Sequence, residues 1–442
     1  MSSRVLIVSP EAPGENMSGP AMRYWHLAQA LAGDFSVTLA APGTPALTST
    51  KFEVKGYQAI TGAELPQYAA RADVLLSSGF VLHHFPSLGA ISQPIVIDLY
   101  DPFVFENLQV HAAKPLPEQL AQHRISLAAL QGSLQRGDFF VCASEMQRDF
   151  WLGMLAANGR INPQTMANDA ALRQLIDLVP FGVPDEPPSP RQAFIKGVYP
   201  GITADDLVVY WGGGMWEWFD PLTAIRAMAG VTARQPRAKL FFAGVRHPNP
   251  DVPSMRIVET AQQLSAQLGL TGRTVFFNDW VPYAARADCL LEADVGLSLH
   301  FDNIETHFAY RTRLLDYIWA GLPMVVTQGD VLGTLAEKHG LAVTVAPGDV
   351  AGTSAALQYW LERSGQRGEI RERSQALADA LRWSRVVQPL VAFCQNPRRA
   401  ADAGSRPVAP KLTASLLVKA WQSLRARGLR GLARDVRLYL GL

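Results

Sequence analysis

Residues 179–190, VPFGVPDEPPSP, divide the chain into two stretches that each carry the same kind of pattern. Proline at this density fits the interior of neither a helix nor a sheet, so the segment reads as a stiff connector. Before it, apolar runs at 4–9, 36–40, 74–77, 95–99 and 139–143 read as strands, with helical stretches at 20–32 and about 117–135. After it the pattern restarts, with strands at 207–211, 239–243, 275–278, 295–299, 324–327 and 342–345 and helices at 221–235, 254–268 and 312–320. Val/Ile/Leu runs without alternation belong to strands buried on both faces, and such sheets are parallel with helices on either side. The length of 442 residues suits two such units. The expected architecture is α/β: two Rossmann-like, doubly wound domains, 1–180 and 191–380, facing across a cleft. Ligands of such sheets gather beyond the carboxyl ends of strands, which puts the expected site in that cleft.

A hydrophobic content of 48% with 18% charged residues excludes a disordered chain, and a net charge of +1 excludes a global basic field for nucleic acid. Cys142, Cys289 and Cys394 form no CxxC pair or metal-ligand spacing, so buried thiols in a reducing compartment are expected. The apolar run at the N-terminus is too short for a signal peptide, and no run approaches the roughly 20 residues that span a bilayer. A cytoplasmic protein is expected, soluble or bound to the cytosolic face of a membrane.

Gly212, Gly213 and Gly214 stand between a strand and a helix start marked by Asp220-Pro221. Glycines there let backbone N–H groups approach a phosphate, and a tight corner is the competing reading. The densest segment is 301–323, FDNIETHFAYRTRLLDYIWAGLP. Arg311 and Arg313 near its helix start can fork onto anionic phosphates, and Asp316 can accept hydrogen bonds from ribose hydroxyls. An intrahelical ion pair on a solvated face is the alternative. Asp98 and Asp101 follow a buried strand and are candidates to orient an acceptor hydroxyl or act as base, beside the reading of Asp101-Pro102 as a plain turn. Glu217 is a second acidic candidate, and His247 a donor to phosphate or part of an ordinary turn. His83, His84 and His300 lack partners at metal spacing and read as structural.

The stretch LLDYIWAGLPMVV resembles the signature helix and following strand of retaining, GT-B-fold glycosyltransferases of glycosyltransferase family 4, and residues 18–23 resemble that family's glycine-rich opening loop. The likeness covers roughly residues 1–395 and implies a helix at 381–396 that crosses back to the first domain. It implies that Gly19 lines the cleft, that Arg23 lies near donor phosphate or acceptor, and that Asp316 holds the nucleotide ribose. Two departures stand out. The family's glutamate eight residues before the ribose-binding acid is Phe308 here, with Glu305 three residues further back. The second-domain loop GGGMWEWFDP lacks the usual arginine and lysine, leaving Arg246, Arg311 or Arg313 to supply that charge.

The resemblance further implies transfer from a nucleotide-diphosphate sugar, with retention, to a glycan or lipid-linked acceptor, as in cell-surface polysaccharide biosynthesis. No metal or other cofactor is required, because arginines and backbone dipoles meet the leaving diphosphate. A phosphorylase, a nucleotide-sugar epimerase and a catalytically silent scaffold that binds nucleotide or glycan remain as alternatives. The tail, 397–442, carries Lys411, Lys419, Arg425, Arg427, Arg430, Arg434 and Arg437 against Asp435, with Leu417, Trp421, Leu424, Leu432, Val436 and Tyr439 near helical spacing. Such a basic amphipathic helix reads as an anchor to an anionic membrane surface, with a helix packed on the protein's own surface, a partner-binding helix and a nucleic-acid tail as the alternatives.

Overall fold

The computed structural model describes residues 3–249, 252, 254–406 and 425. Two sheets form there, and every strand pair in them is parallel. The first contains β1 (Arg4–Val8), β2 (Ser36–Pro42), β3 (Glu53–Tyr57), β4 (Val74–Ser78), β5 (Ile95–Asp98), β6 (Phe139–Cys142) and β7 (Ile176–Leu178), ordered β3-β2-β1-β4-β5-β6-β7. The second contains β8 (Leu207–Gly214), β9 (Ala238–Gly244), β10 (Val275–Phe277), β11 (Val295–Ser298), β12 (Met324–Thr327) and β13 (Ala342–Val345), ordered β10-β9-β8-β11-β12-β13. Each sheet grows outward in both directions from its first strand. The winding therefore reverses between β1 and β4 and again between β8 and β11, which opens a crevice at the carboxyl end of each sheet.

Central strands were plain in the sequence because they are buried throughout, as in β5 and β6. Two edge strands were not. β3, EVKGY, carries two charges in five residues, and β7 is three residues long. The glycine segment also differs from expectation: it is strand, not loop. β8 continues through Gly214 with a register shift between Trp211 and Gly214, and Gly213 has φ +68°, a backbone conformation natural to glycine. The following helix, Pro221–Arg234, starts as expected, with the Asp220 carboxylate accepting the Thr223 N–H at 2.9 Å. The helix Thr312–Ala320 ends at Gly321, φ +62°, where a Cβ would lie 2.9 Å from the Arg371 backbone.

After the second sheet the chain returns to the first. Helices Trp383–Val386 and Gln388–Gln395 place Trp383 against His26, stacked at 5.6 Å, and Phe393 against Phe139, stacked at 4.8 Å. Residues 396–406 then strap that domain through buried ion pairs, Arg160 to Asp402 at 2.6 Å and Arg406 to Asp138 at 2.7 Å. The amphipathic tail beyond lies outside the described residues apart from Arg425, whose guanidinium is 3.7 Å from Glu118. Among the described residues no helix is long and apolar enough to cross a membrane. Cys142, Cys289 and Cys394 are free and buried, and burial raises all three thiols, Cys142 and Cys394 to about 12.

Candidate functional site

The crevice of the second sheet is pinned by a residue that sequence reasoning passed over. Tyr317, inside the helix Thr312–Ala320, sends its hydroxyl between β8 and β11, 3.0 Å from the carbonyl oxygens of Tyr210 and Leu297, and it accepts the Gly212 N–H at 2.9 Å. Its ring lies on Gly296, where a Cβ would approach it to 2.6 Å. This explains Gly296, which has no room for a side chain beneath the ring; at Gly212 the tight neighbour of a Cβ would be Tyr210, at 3.2 Å. Tyr317→Phe would leave the buried Gly212 N–H unpaired, so a loss of about 1–3 kcal/mol in urea unfolding is expected. An unchanged midpoint would mean that another acceptor takes that N–H.

Arg313 lies beside this pin. Its guanidinium is 3.9 Å from the Phe219 ring centroid and 5.1 Å from that of Trp211, and Nη2 donates to the Gly214 carbonyl at 2.7 Å. Its Nη1 is buried without a hydrogen bond, and among the described residues no carboxylate stands within ion-pair distance of it. Burial lowers the guanidinium to about 10, and the neighbouring Arg311 charge pushes the same way. His300, at the end of β11, is buried with its Nε2 unpartnered, while Nδ1 faces the Phe301 carbonyl at 3.3 Å. Burial, then the Arg311 charge, hold this imidazole down to about 4, so it is neutral at physiological pH. A buried cation with a free N–H and no direct ion pair, next to a neutral imidazole, under a glycine strand end, is a ready receptor for an anion.

Glu305 and Arg311 do something other than what their sequence positions implied. The two form a bidentate pair, Nη1 to Oε1 at 2.8 Å and Nη2 to Oε2 at 2.6 Å, with Glu305 fully buried. Glu305 therefore spends its carboxylate on holding Arg311. Phe308 is a hook: its ring packs at 5.6 Å from Phe105 and 5.0 Å from Phe150 in the first half of the chain. Gln147 completes the seam, donating to the carbonyls of Tyr100 and Phe308 at 2.9 and 2.8 Å.

Across that seam lie Asp101 and Glu106, which hydrogen-bond to each other. Burial raises Asp101 to about 6; the Glu106 bond opposes this and the Glu305 charge reinforces it. Burial and the Asp101 charge hold Glu106 well above the usual carboxylate range. Glu106 was invisible in the sequence, because nothing in its spacing marks a shared proton. Between the ordinary aspartate value near 3.8 and about 6, the unfolded chain releases a proton that the folded one keeps. Stability should therefore fall as pH rises through that window, by on the order of 3 kcal/mol from Asp101, and go on falling above it as Glu106, also raised, ionises in turn. Urea midpoints measured from pH 4 to 7 should show the fall in the parent chain and a smaller one in Asp101→Asn, where only the buried Glu106 is left to contribute. An equal slope in both would remove Asp101 as its source.

Asp316 lies on the side of its helix that faces the first domain. It binds Arg286 at 2.9 Å, and Arg286 in turn meets Met22 Sδ at 3.5 Å and stacks near Tyr283 and Trp319. Tyr283 touches His26 Nε2 at 2.7 Å, so this cluster bridges the two sheets. Gly19 opens the facing helix, Gly19–Leu31, with open space where a Cβ would sit.

Other candidates are committed elsewhere. Arg23 is fully buried, its guanidinium gripping Asp98 at 2.5 and 2.8 Å and donating to the Val179 carbonyl at 2.8 Å, with Nη1 left without a hydrogen bond. Both Asp98 carboxylate oxygens are thereby engaged by Arg23. Glu217 accepts the Arg256 N–H at 2.5 Å and so caps the helix Arg256–Gln267. Arg246 is exposed, 3.6 Å from Asp279. His247 accepts the Asn249 N–H at 3.1 Å and packs between Trp216 and Trp280, each at 5.6 Å.

No family model matches the chain. No curated protein sequence matches it either. Solved structures do. A glycosyltransferase involved in lipopolysaccharide biosynthesis, WaaG, superposes with a TM-score of 0.61 at 16% identity, over 89% of this chain and 100% of that one. An E. coli structure described as trehalose-6-phosphate bound with UDP-2-fluoro glucose gives 0.61 at 13% identity over 90% and 100%. Sucrose-phosphate synthase from Thermosynechococcus elongatus gives 0.59 at 15% identity over 88% and 98%. At these identities the likeness shows the fold: two facing Rossmann-like domains of the GT-B type.

Proposed function

We propose that the chain is a retaining glycosyltransferase of the family 4 type, moving a sugar from a nucleotide-diphosphate sugar to a glycan or lipid-linked acceptor. The observation that carries this reading is the buried Arg313, with a free Nη1 and no direct ion pair, beneath the end of β8. The structurally similar WaaG is described as a glycosyltransferase, and the E. coli relative as bound to UDP-2-fluoro glucose.

In this reading the first unit, 1–180, receives the acceptor and the second, 191–380, the donor. Arg313 and the Gly213–Gly214 backbone meet the diphosphate, with Arg311 held behind by Glu305. Asp316 takes the ribose hydroxyls, exchanging its bond to Arg286 for them. Departure of the diphosphate leaves positive charge on the anomeric carbon, and stabilisation of the leaving charge is the main catalytic contribution. The acceptor hydroxyl attacks from the face the diphosphate leaves, which retains configuration. Asp101, whose carboxyl is raised to about 6, is half of a pair poised to take up the released proton near neutral pH. No step needs a metal. Cell-surface polysaccharide assembly on the cytosolic side of a membrane is the setting proposed.

Thermal shift with UDP, GDP, ADP and their sugars tests the donor half. A ligand at about 100 times its Kd adds about 2.7 kcal/mol to stability. If no nucleoside diphosphate or nucleotide sugar raises the melting temperature, the reading fails at its first step.

A further inference from the structure

A cavity of about 510 Å³ opens at the carboxyl end of the first sheet, where its winding reverses. Pro10 beyond β1, Pro42 at the end of β2, and Phe80 beyond β4 contribute to its rim, and Asn249 closes it from the second domain. Its walls are aromatic. Tyr57 meets Phe85 edge-on at 5.5 Å, Phe80 is backed by Phe103 at 4.1 Å, and all but Phe103 line the space. The Phe80–Phe103 contact ties this wall to the helix Phe103–Val110, which carries Glu106 and follows Asp101.

The charge inside is negative. Glu11 lines the cavity, oriented by the Ser18 hydroxyl, which donates to its carboxylate, and by the Ser9 hydroxyl on its carbonyl at 2.6 Å. Among the described residues no lysine or arginine lines the cavity or pairs with Glu11. His84 also lines it, with Nδ1 on the Phe80 carbonyl at 3.0 Å. His247, the imidazole that feels the Glu11 charge, is held below its ordinary value by burial.

We infer that this cavity takes an uncharged, phosphate-free sugar ring as the acceptor. The inference rests on the glycosyl-transfer reading and specifies its second substrate. A pyranose has a face of C–H bonds that packs on the negative face of an aromatic ring, and vicinal hydroxyls that donate together to one carboxylate. A sugar phosphate has the same ring but adds a dianion, which needs cations in reach and here meets Glu11. Two of the similar structures carry phosphorylated sugars in their names, sucrose-phosphate and trehalose-6-phosphate; an acceptor of that class does not suit this cavity.

The test uses the full chain and matched pairs: glucose, mannose, galactose and N-acetylglucosamine, each against its 6-phosphate. Binding is read by saturation-transfer NMR competition, with and without UDP. The neutral member of at least one pair is expected to bind roughly tenfold or more tighter than its phosphate, a difference of one decade in Kd. Glu11→Lys should shift that ratio towards the phosphate by a similar factor, and Phe80→Ala should weaken the neutral sugar. A phosphorylated member binding as well or better in the parent chain overturns the inference, as does a ratio indifferent to Glu11→Lys, or no sugar binding at millimolar concentration. UDP titration alone judges the donor reading, so the two can fail separately.

Discussion

An Arg313→Met variant is expected to melt no lower than the parent chain while losing roughly 10- to 150-fold in affinity for a nucleoside diphosphate, the worth of about 1.5–3 kcal/mol for a charged hydrogen bond. The two halves of this expectation have one cause. Without ligand, the Arg313 guanidinium is buried against Phe219 and Trp211, makes one hydrogen bond to the Gly214 carbonyl, and has no carboxylate partner. Its depression to about 10 records that folding disfavours the charge, a cost that persists at every pH below that value. Methionine fills much of the same volume and removes the cost. A bound diphosphate turns the same unpaired charge into the strongest local attraction. The neighbouring Arg311→Met should behave oppositely. It strands the fully buried Glu305, and leaving one member of such a pair costs about 3–5 kcal/mol. Calorimetric titration with UDP alongside thermal melts separates the two arginines. If Arg313→Met melts as low as Arg311→Met and binds UDP as before, Arg313 is an ordinary packing residue.

That contrast also marks where the sequence ceased to be informative. Both arginines were visible in the sequence as candidates two positions apart, and their opposite electrostatic states were not. Pairing depends on Glu305, which looked like a displaced member of a binding motif and is instead Arg311's counter-ion. Phe308 was visible as a departure, yet its use as a hook between Phe105 and Phe150 depends on a domain seam that no local pattern encodes. Buried strands were legible because hydrophobic burial on both faces leaves an unbroken apolar run, as in β5 and β12. β3 was illegible because an edge strand half exposed to water can carry Glu53 and Lys55. The glycines at 212–214 were correctly tied to the crevice but misread as a loop, since a glycine run looks alike in a turn and in a bulged strand end. Tyr317 supplies what a local pattern could not, an acceptor for the Gly212 N–H from a helix a hundred residues away.

Arg23→Ala should be among the most destabilising single changes in the first domain, about 3–5 kcal/mol by urea unfolding. The guanidinium and the Asp98 carboxylate have no exposed side-chain surface, and they meet through two hydrogen bonds of 2.5 and 2.8 Å. Arg23 also carries the Val179 carbonyl at 2.8 Å and lies 4.5 Å over the Tyr100 ring, so it ties the opening helix to the start of the connector. Truncation leaves the buried Asp98 carboxylate without its partner, although the Tyr100 N–H still donates to it at 3.3 Å. The penalty therefore belongs to the orphaned charge rather than to a lost attraction. This has a checkable corollary: Arg23→Met combined with Asp98→Leu should recover most of the stability, because a buried pair replaced by apolar groups of similar bulk is often neutral. Function separates the roles further. If Asp98 holds Arg23 and Asp101 handles the acceptor proton, the double variant keeps measurable transfer while Asp101→Asn does not. A double variant that folds as stably as the parent but is as inactive as Asp101→Asn would return Asp98 to the catalytic group.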